Sequence, residues 1–412
     1  MAIAHSPSFP TNGLVYACDP ANPRSFDSRE NRLLYSTDIT NASWGTNGTP
    51  APTKVLNAIQ APDGTFTGAS VSAGNSLLQD LTIAGNVPLT CSMYVKSTTN
   101  ASFSLAIWRV GGSSGNGNVT ISFNPVTGAA GTSANANMIV YSFSMISVGD
   151  GWWRVSISGV STDASHTSAR FEIYQGGAYF IWGPQVEVAR LPTGAPTPPY
   201  VATTASAVIR PTTISNLSGT TNAGTLTNNP YYSTNGYGSL FFNGTNSYTS
   251  IATPPLAAGA ANYTLCVWFY CLQNVNVSTI YEQNSATPIT SQRSAILQYG
   301  NSWGFNGESN DRATTAVRVN TWVMGTIVIE KDNPVYPCRV YEYNNLSFAG
   351  LTTTNPASSL NVGTGGAGLG RKISSNSEFF NGFIGNVFVY DRSLSQQEIN
   401  RIYQATRGRY GV

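Results

Sequence analysis

Charged side chains are scarce in this sequence of 412 residues. Lys, Arg, Asp and Glu together make up 10% of it, against about 25% in typical soluble domains, and the formal net charge is only +2. A chain this close to neutral has neither the basic field that attracts nucleic acid nor an acidic field for a cationic partner. We therefore expect no nucleic-acid partner.

Cysteine is also rare, and the residues that occur are far apart in the sequence. An odd, scattered set does not build the dense disulfide framework of a small secreted module, so we expect free and mostly buried thiols. Two of them stand five positions apart in one predicted strand and therefore point to opposite faces. The cysteines are Cys18, Cys91, Cys266, Cys271 and Cys338.

Long apolar runs are missing as well. The longest, near residues 265–272, is much too short to cross a bilayer. The first residues, MAIAHSPSFPTNG, hold neither the charged nor the apolar region of a secretory signal peptide. We expect no membrane insertion, and synthesis in a cytosol without an export signal.

Side chains suited to catalysis are few. The two histidines, His5 and His166, belong to no metal-binding spacing, and we expect His166 to be exposed in a Ser/Thr-rich loop. No G-x-S-x-G elbow occurs, and the Gly-rich stretches 111–117 and 363–370 lack the lysine and the following helix of a phosphate-binding loop. We expect no catalytic residues and no enzyme activity.

What the sequence does contain is typical of an all-β protein. Gly, Ser, Thr and Asn abound and aromatic residues reach 11%, the composition of many short strands joined by turns. The length allows two domains, each with its own core. Residues 153–158 alternate strictly between apolar and polar, which predicts a half-buried strand, and the strand spacing favours antiparallel sandwiches.

The last residues combine a strand with the chain's one convincing helix. The run 383–390 is rich in β-branched and aromatic residues. Ser395 precedes Glu398 by three positions, the spacing of a capping box, and Leu394 and Ile399 stand where a hydrophobic staple places them. Gly408 is the predicted end of the helix.

This ending resembles the C-terminus of laminin-G-like, or concanavalin A-like, jelly rolls. In that family a strand close to F-x-G-x-I-x-x-V-x-I-Y leads through Arg-x-Leu-Ser to Glu-Ile in a helix. The resemblance is specific for the fold and implies a jelly roll. The matching residues are Phe380, Gly382, Ile384, Val387, Val389, Tyr390, Arg392, Leu394, Ser395, Glu398 and Ile399.

The start of the same family is similar to residues 13–26, GLVYACDPANPRSF, but its continuation stands far downstream. The expected pieces occur at 217–219, 224–226 and 238–244. We therefore predict one jelly roll formed by 13–32 and 206–412, with a second domain, 33–205, inserted in it, and an N-terminal arm, 1–12. A tandem arrangement is the alternative.

Two motifs of the inserted region, DGWWRV at 150–155 and YFIWGPQVE at 179–187, resemble the carbohydrate-binding-module-like jelly roll of phage head-fibre and tail-fibre proteins. As in those proteins, a proline-rich linker follows, at 191–200. The resemblance implies a virion structural protein of a tailed bacteriophage. Its role would be capsid decoration or a head fibre, acting through protein packing.

The implied partners are other virion proteins, above all the major capsid protein, and further copies of the chain. The alternative function is a glycan-binding adhesin of a tail, neck or fibre, with a host-surface glycan as partner. For that role an exposed aromatic ring is needed, and we select Trp152, which alternation places opposite Trp153, and Trp303 in a turn-like segment. Packing at an edge or a subunit contact is the other interpretation of both.

Metal binding and hydrolysis receive little support. Laminarinase-like members of the family carry a Glu-x-x-Asp-x-x-Glu strand motif, which has no match here. Several related jelly rolls bind calcium through loop carboxylates, but the position that is often aspartate is Asn243 in this chain. We expect no cofactor and no metal, with calcium as the alternative left open.

Overall fold

The computed structural model describes residues 9–412 except 98, 100–102, 176, 190–196, 220–221, 229, 234–237, 285–292, 308–311, 317 and 350–361. The described residues form antiparallel strands and one helix, which confirms the all-β fold class. Residues 1–8 of the predicted arm and 191–196 of the predicted linker lie outside the described residues. Phe9, within the arm, packs against Phe388 with ring centroids 4.6 Å apart and the rings tilted by 57°.

The chain divides into two compact units. One joins residues 1–28 to 211–412, and the other is formed by residues 29–210. These boundaries fall within a few residues of those predicted for the two domains, 32/33 and 205/206. The assignment of the units as a host jelly roll and an inserted one stays a prediction.

Two six-stranded antiparallel sheets build the unit of residues 29–210. Their inward residues, such as Val155 and Phe171, are fully buried. The sheet orders are β10-β11-β6-β13-β4-β3 and β2-β5-β12-β7-β8-β9. The strands are β2 (Gly45–Asn47), β3 (Lys54–Ile59), β4 (Gly68–Val71), β5 (Ser76–Thr82), β6 (Leu89–Lys96), β7 (Phe103–Val110), β8 (Gly117–Asn124), β9 (Ala129–Ala136), β10 (Met138–Gly149), β11 (Trp152–Ser161), β12 (Ser168–Gln175) and β13 (Tyr179–Val188).

The other unit also contains two sheets around one core. One has the order β16-β17-β28-β19-β24-β25-β26, with β1 paired to β28, and the other β14-β15-β18-β27-β20-β21-β22-β23. The strands are β1 (Leu14–Cys18), β14 (Thr213–Ile214), β15 (Gly224–Thr227), β16 (Tyr231–Ser233), β17 (Ser239–Asn243), β18 (Tyr248–Ile251), β19 (Asn262–Cys271), β20 (Val277–Asn284), β21 (Ser294–Tyr299), β22 (Ser302–Asn306), β23 (Arg312–Ala316), β24 (Trp322–Glu330), β25 (Cys338–Glu342), β26 (Asn345–Ala349), β27 (Gly366–Leu369) and β28 (Asn381–Tyr390).

The two ends of the chain meet in the first of these sheets. β1 pairs antiparallel with β28, with Cys18 opposite Val387. The family-like start and end of the sequence predict one jelly roll for both segments, and the pairing places them in the same sheet. All five cysteines are free and buried, as expected.

The helix α1 (Gln396–Tyr410) begins as predicted and ends later than predicted. Ser395 is the N-cap, and both bonds of the capping box with Glu398 are present. The helix continues through Gly408 and ends at Gly411, which adopts a left-handed conformation with φ 70°. The additional residues are helical because Tyr410 is buried and stacks on Trp268 of β19, with ring centroids 4.2 Å apart.

Candidate functional site

β13 carries the central residue of the candidate site. Ile181 points into the core and is 2% exposed, whereas Trp182, the next residue, takes the opposite face of the sheet and is half-buried. The ladder between β13 and β6 pairs Trp182 with Tyr94 and then shifts register before Gln185. Gly183 lies in this bulge with a left-handed φ of 59°. A bulge of this kind redirects the side chains beside it.

The C-terminal end of the predicted linker brings a second ring to Trp182. Tyr200 contacts Trp182 edge to face, with ring centroids 4.8 Å apart. Buried Gln185 holds this segment on both sides of Tyr200, since its amide nitrogen donates to Pro199 O at 3.1 Å and its oxygen accepts from Val201 N at 2.6 Å. The Tyr200 hydroxyl is 2.8 Å from Ser36 Oγ.

The loop of residues 60–67, which joins β3 to β4, supplies the polar side. Trp182 Nε1 donates to Thr67 Oγ1 at 3.0 Å, and Thr67 Oγ1 is 2.6 Å from Thr65 Oγ1. Thr65 Oγ1 in turn donates to Asp63 Oδ1 at 2.6 Å. Because the proton of Thr65 is committed to Asp63, the proton between the two threonines comes from Thr67. One directed chain of hydrogen bonds therefore runs from the indole to the carboxylate.

These groups enclose a cavity of about 490 Å³, which we call the Trp182 cavity. Trp182 and Tyr200 form its aromatic wall, and Leu56, Pro184 and Ala202 extend the apolar lining. Its polar lining comes from the side chains of Ser36, Thr37, Asn57, Asp63, Thr65 and Thr67. An apolar wall facing a few oriented polar groups is the usual composition of a small-molecule site.

A buried cation supports the aromatic wall from behind. Arg154 of β11 places its guanidinium 4.3 Å from the centroid of the Tyr94 ring, and Tyr94 contacts Trp182 with centroids 5.0 Å apart. Arg154 Nη2 also donates to Ser92 Oγ and to Pro198 O, at 3.0 and 2.8 Å. Burial lowers the pKa of Arg154, and interactions with Tyr94, Glu187 and Tyr200 oppose that shift. Arg154 does not line the cavity.

The phenol of Tyr200 stays protonated through the neutral range. Burial raises its pKa to about 12, and nearby Asp63 adds to the rise, whereas the hydrogen bond with Ser36 and the charge of Arg154 act in the opposite direction. The hydroxyl can therefore donate or accept a hydrogen bond in the cavity.

Neither tryptophan selected from the sequence presents an exposed ring. Trp152 is 2% exposed because the 60–67 loop folds over its face of the sheet, and its Nε1 donates to Gln60 O at 3.1 Å. It lines a separate polar cavity of about 470 Å³ together with Lys96 and Asp150. The expectation of an open ring at Trp152 is wrong, since alternation gives the face of a side chain but not what covers that face.

Trp303 is also buried, in the core of the other unit. It is fully enclosed on β22, where it packs edge to face against Phe269 with centroids 5.3 Å apart. Its Nε1 is 3.4 Å from Glu342 Oε2. The turn-like sequence around Trp303 is the tight connection of β21 and β22, so this ring belongs to the packing, and the expectation of an open ring is wrong here too.

Trp182 and Tyr200 were not selected from the sequence. Trp182 lies within the motif 179–187 that carries the carbohydrate-binding-module resemblance, and its alternation with Ile181 was a usable signal. Tyr200 had none, because it is brought to Trp182 by a segment without regular structure. Asp63 and Thr65 lie in a short turn whose position over the sheet depends on the tertiary fold.

The remaining expectations concern His166, metals and the membrane. His166 is buried, not exposed: its Nδ1 is 2.8 Å from Ser161 Oγ and its Nε2 is 2.9 Å from Gly115 O. His5 lies outside the described residues.

Among the described residues, no three His, Cys, Asp or Glu side chains group as metal ligands. In the same part of the chain, no helix has the length and apolarity needed to cross a membrane.

Comparison with known families identifies the fold of the C-terminal region. Residues 243–400 match the family model of the concanavalin A-like lectin/glucanases superfamily. The chain thus contains a concanavalin A-like sandwich, as the resemblance of its C-terminus implies. The matched residues lie in the unit that contains 211–412, and the Trp182 cavity belongs to the unit of residues 29–210. No curated protein matches the sequence.

Solved structures with similar folds are distant. One is domain 4 of AbnA, a GH43 extracellular arabinanase from Geobacillus stearothermophilus, in complex with arabinotriose, at 17% identity and a TM-score of 0.36, covering 46% of this chain and 92% of that one. Another is botulinum neurotoxin type C, at 12% identity and a TM-score of 0.36, covering 47% of this chain and 48% of that one. A third is the CBM40 of the Ruminococcus gnavus IT-sialidase bound to α2,3 sialyllactose, at 14% identity and a TM-score of 0.29, covering 35% and 83%.

Proposed function

We propose that the unit of residues 29–210 binds a carbohydrate in the Trp182 cavity. The observation that carries this proposal is the pairing of an aromatic wall, Trp182 and Tyr200, with the hydroxyl and carboxylate groups of the 60–67 loop. A sugar ring has an apolar face of C–H groups and a rim of hydroxyls. The first packs on an aromatic ring and the second needs hydrogen-bond partners.

The size and stiffness of the cavity support the proposal. Its volume of about 490 Å³ lies within the usual range of ligand pockets, about 300–1,000 Å³. Trp182 is held by Thr67, and the segment of Tyr200 is held by Gln185, so the wall exists before a ligand arrives. A preformed wall reduces the entropy lost on binding.

The proposed role is binding without catalysis. Glycoside hydrolysis by the common mechanisms requires two carboxyl groups about 5 to 10 Å apart on either side of the bond that breaks. Asp63 is the one carboxylate among the residues that line the cavity. A single carboxylate serves as a hydrogen-bond acceptor but does not supply an acid and base pair.

Replacement of the central tryptophan tests the proposal. The purified full-length chain is screened on a glycan array, and its hits are titrated by calorimetry against W182A. We expect W182A to bind about tenfold more weakly or worse, since it loses the stacking surface. Equal binding by wild type and W182A, or an array without any hit, contradicts the proposal.

A matched control is available in the same unit. Trp108 of β7 is also half-buried, and its Nε1 also donates to a hydroxyl, that of Tyr174, at 3.1 Å. It does not line the cavity. W108A should therefore retain glycan affinity within about twofold while losing a comparable amount of packing. Thermal melting of both variants shows whether each is folded.

A second candidate function, packing against other protein subunits, is favoured by β10. This strand stands at the edge of its sheet and carries no charge over its length. Ile139, Phe143, Ile146 and Val148 are each 40–50% exposed on it. Uncharged apolar edges are prone to pair with another chain. A role in a virion, packed against the major capsid protein, stays a proposal. Quantitative mass spectrometry of purified phage particles tests this proposal by giving the number of copies of the chain per particle. Absence of the chain from the particles would contradict it.

A further inference from the structure

We propose that the Trp182 cavity selects neutral glycans and rejects acidic ones, with Asp63 as the residue that sets this preference. The inference rests on the proposed function of the cavity and names the class of its ligand. It follows from the charge of the lining, from the hydrogen bonding of Asp63 and from the positions of Arg154 and Lys96.

The lining of the cavity has one sign of charge. Among the residues that form it, all within the described part of the chain, none is Lys, Arg or His, and Asp63 carries the one formal charge. A bound uronic or sialic acid would bring a second carboxylate into the space that Asp63 faces, without a cation between them. Like charges brought together in a partly enclosed site oppose binding.

One oxygen of the Asp63 carboxylate accepts hydrogen bonds within the loop, and the other is available to a ligand. Oδ1 accepts from Thr65 N at 2.9 Å and from Thr65 Oγ1 at 2.6 Å. Oδ2 makes no hydrogen bond to the described residues. A free carboxylate oxygen accepts hydroxyl protons, which a neutral sugar supplies and a carboxylate does not. The same residue therefore attracts the neutral ligand and repels the acidic one.

The buried cation behind the aromatic wall is separated from Trp182 by a ring. Arg154 is 5% exposed, and its guanidinium lies over Tyr94, while its Nη2 is bonded to Ser92 and Pro198. Lys96 lines the separate cavity next to Trp152 and not the Trp182 cavity. Neither group is placed to pair with an acidic sugar at Trp182.

The test uses pairs of glycans in which one member carries a carboxylate that the other lacks. Lactose is compared with 3′-sialyllactose, and a neutral glucan oligosaccharide with its uronic acid form, both on an array and by calorimetry with the full-length chain. We expect each neutral member that binds to do so at least tenfold more tightly than its acidic counterpart. Because Asp63 is exposed, the ratio should shrink as ionic strength rises.

The variant D63N separates charge from structure. The amide keeps an oxygen that accepts from Thr65, so the loop retains its hydrogen bonds while the charge is removed. We expect D63N to reduce the ratio of the affinities for neutral and acidic glycans to about threefold or less. D80N is the control, because Asp80 lies on β5 in the other sheet of the unit and does not line the cavity. It should leave the ratio unchanged.

The outcomes distinguish this inference from the proposed function. Binding of acidic members as tightly as neutral ones, or a ratio that D63N does not change, overturns the inference while leaving carbohydrate binding in place. If no glycan of either kind binds the wild-type chain, the proposed function fails, and the inference fails with it.

Discussion

The ring of Tyr200 lies directly against the backbone of Gly183. A Cβ placed on residue 183 would stand 3.0 Å from Tyr200 Cγ, closer than ordinary packing allows, and the φ of 59° at this residue is left-handed. Glycine at 183 therefore permits both the bulge in β13 and the approach of the aromatic wall to the sheet.

The first prediction follows from this contact. The variant G183A should displace Tyr200, weaken glycan binding and lower the free energy of unfolding by about 2–5 kcal/mol, the sum of left-handed strain and overpacking. The control is G115A, since Gly115 also has a left-handed φ, of 84°, but a Cβ there meets nothing within 4 Å. G115A should show the strain without the loss of binding. Equal glycan affinity for wild type and G183A would contradict the role assigned to the contact.

The second prediction concerns the hydrogen-bond chain of the 60–67 loop. T65V removes the hydroxyl that links Thr67 to Asp63 and should weaken glycan binding about two- to tenfold, the range expected for the loss of one net hydrogen bond. Stability should change little, because Thr65 is exposed. The measurement is calorimetric titration with the best glycan from the array.

Thr40 provides the matched control for T65V. It makes the same pair of bonds to the aspartate two positions before it, with Asp38 Oδ1 accepting from Thr40 N at 2.9 Å and from its hydroxyl. Thr40 does not line the cavity. T40V should leave glycan affinity unchanged. An equal loss of affinity in T40V and T65V would show that the hydrogen bonds from Trp182 to Asp63 have no special part in binding.

The third prediction concerns the docking of α1 on β19. Tyr410 stacks on Trp268, and Asn386 N donates to its hydroxyl at 3.0 Å. Y410A should destabilise its unit by about 3–5 kcal/mol, as for other buried aromatic residues replaced by alanine. Y403A is the control: Tyr403 is half-buried and its ring centroid is 6.3 Å from that of Trp268, so its loss should cost less. Urea unfolding followed by tryptophan fluorescence measures both, and equal costs would contradict the prediction.

The fourth prediction is a pH dependence at the start of α1. The hydrogen bond from Arg392, together with those from Ser395, lowers the pKa of Glu398 to about 2, against burial, which acts to raise it. Because the folded-state pKa lies below the unfolded value of about 4.3, the stabilisation is present above that value and is lost as the pH falls toward 2.

E398Q tests this dependence. At pH 6 the variant should be less stable than the wild type, and the difference in the free energy of unfolding should shrink as the pH is lowered from 5 to 2. Denaturant unfolding at a series of pH values measures it. A difference that stays constant from pH 6 to pH 2 would show that the charge of Glu398 does not stabilise the helix.

Local rules in the sequence were enough for the secondary structure around the helix and for several strands. The capping box of Ser395 and Glu398 defined the start of α1, because both bonds form within four residues. The predicted strands 153–158 and 383–390 lie within β11 and β28. The end of α1 was predicted too early, because burial of Tyr410 against β19 extends the helix beyond Gly408 and is not visible in the local sequence.

Composition, alternation, short-range bonding and the family-like ends were enough to specify the all-β class, the buried cysteines, the helix start and the placement of both chain ends in one unit. Which aromatic rings face a cavity depends instead on the tertiary fold. The 60–67 loop folds over Trp152 and covers it. The same loop only borders Trp182, which therefore stays at the cavity. Tyr200 reaches Trp182 from outside any strand, held by Gln185. Contacts between segments so distant in the sequence depend on packing that no local pattern encodes.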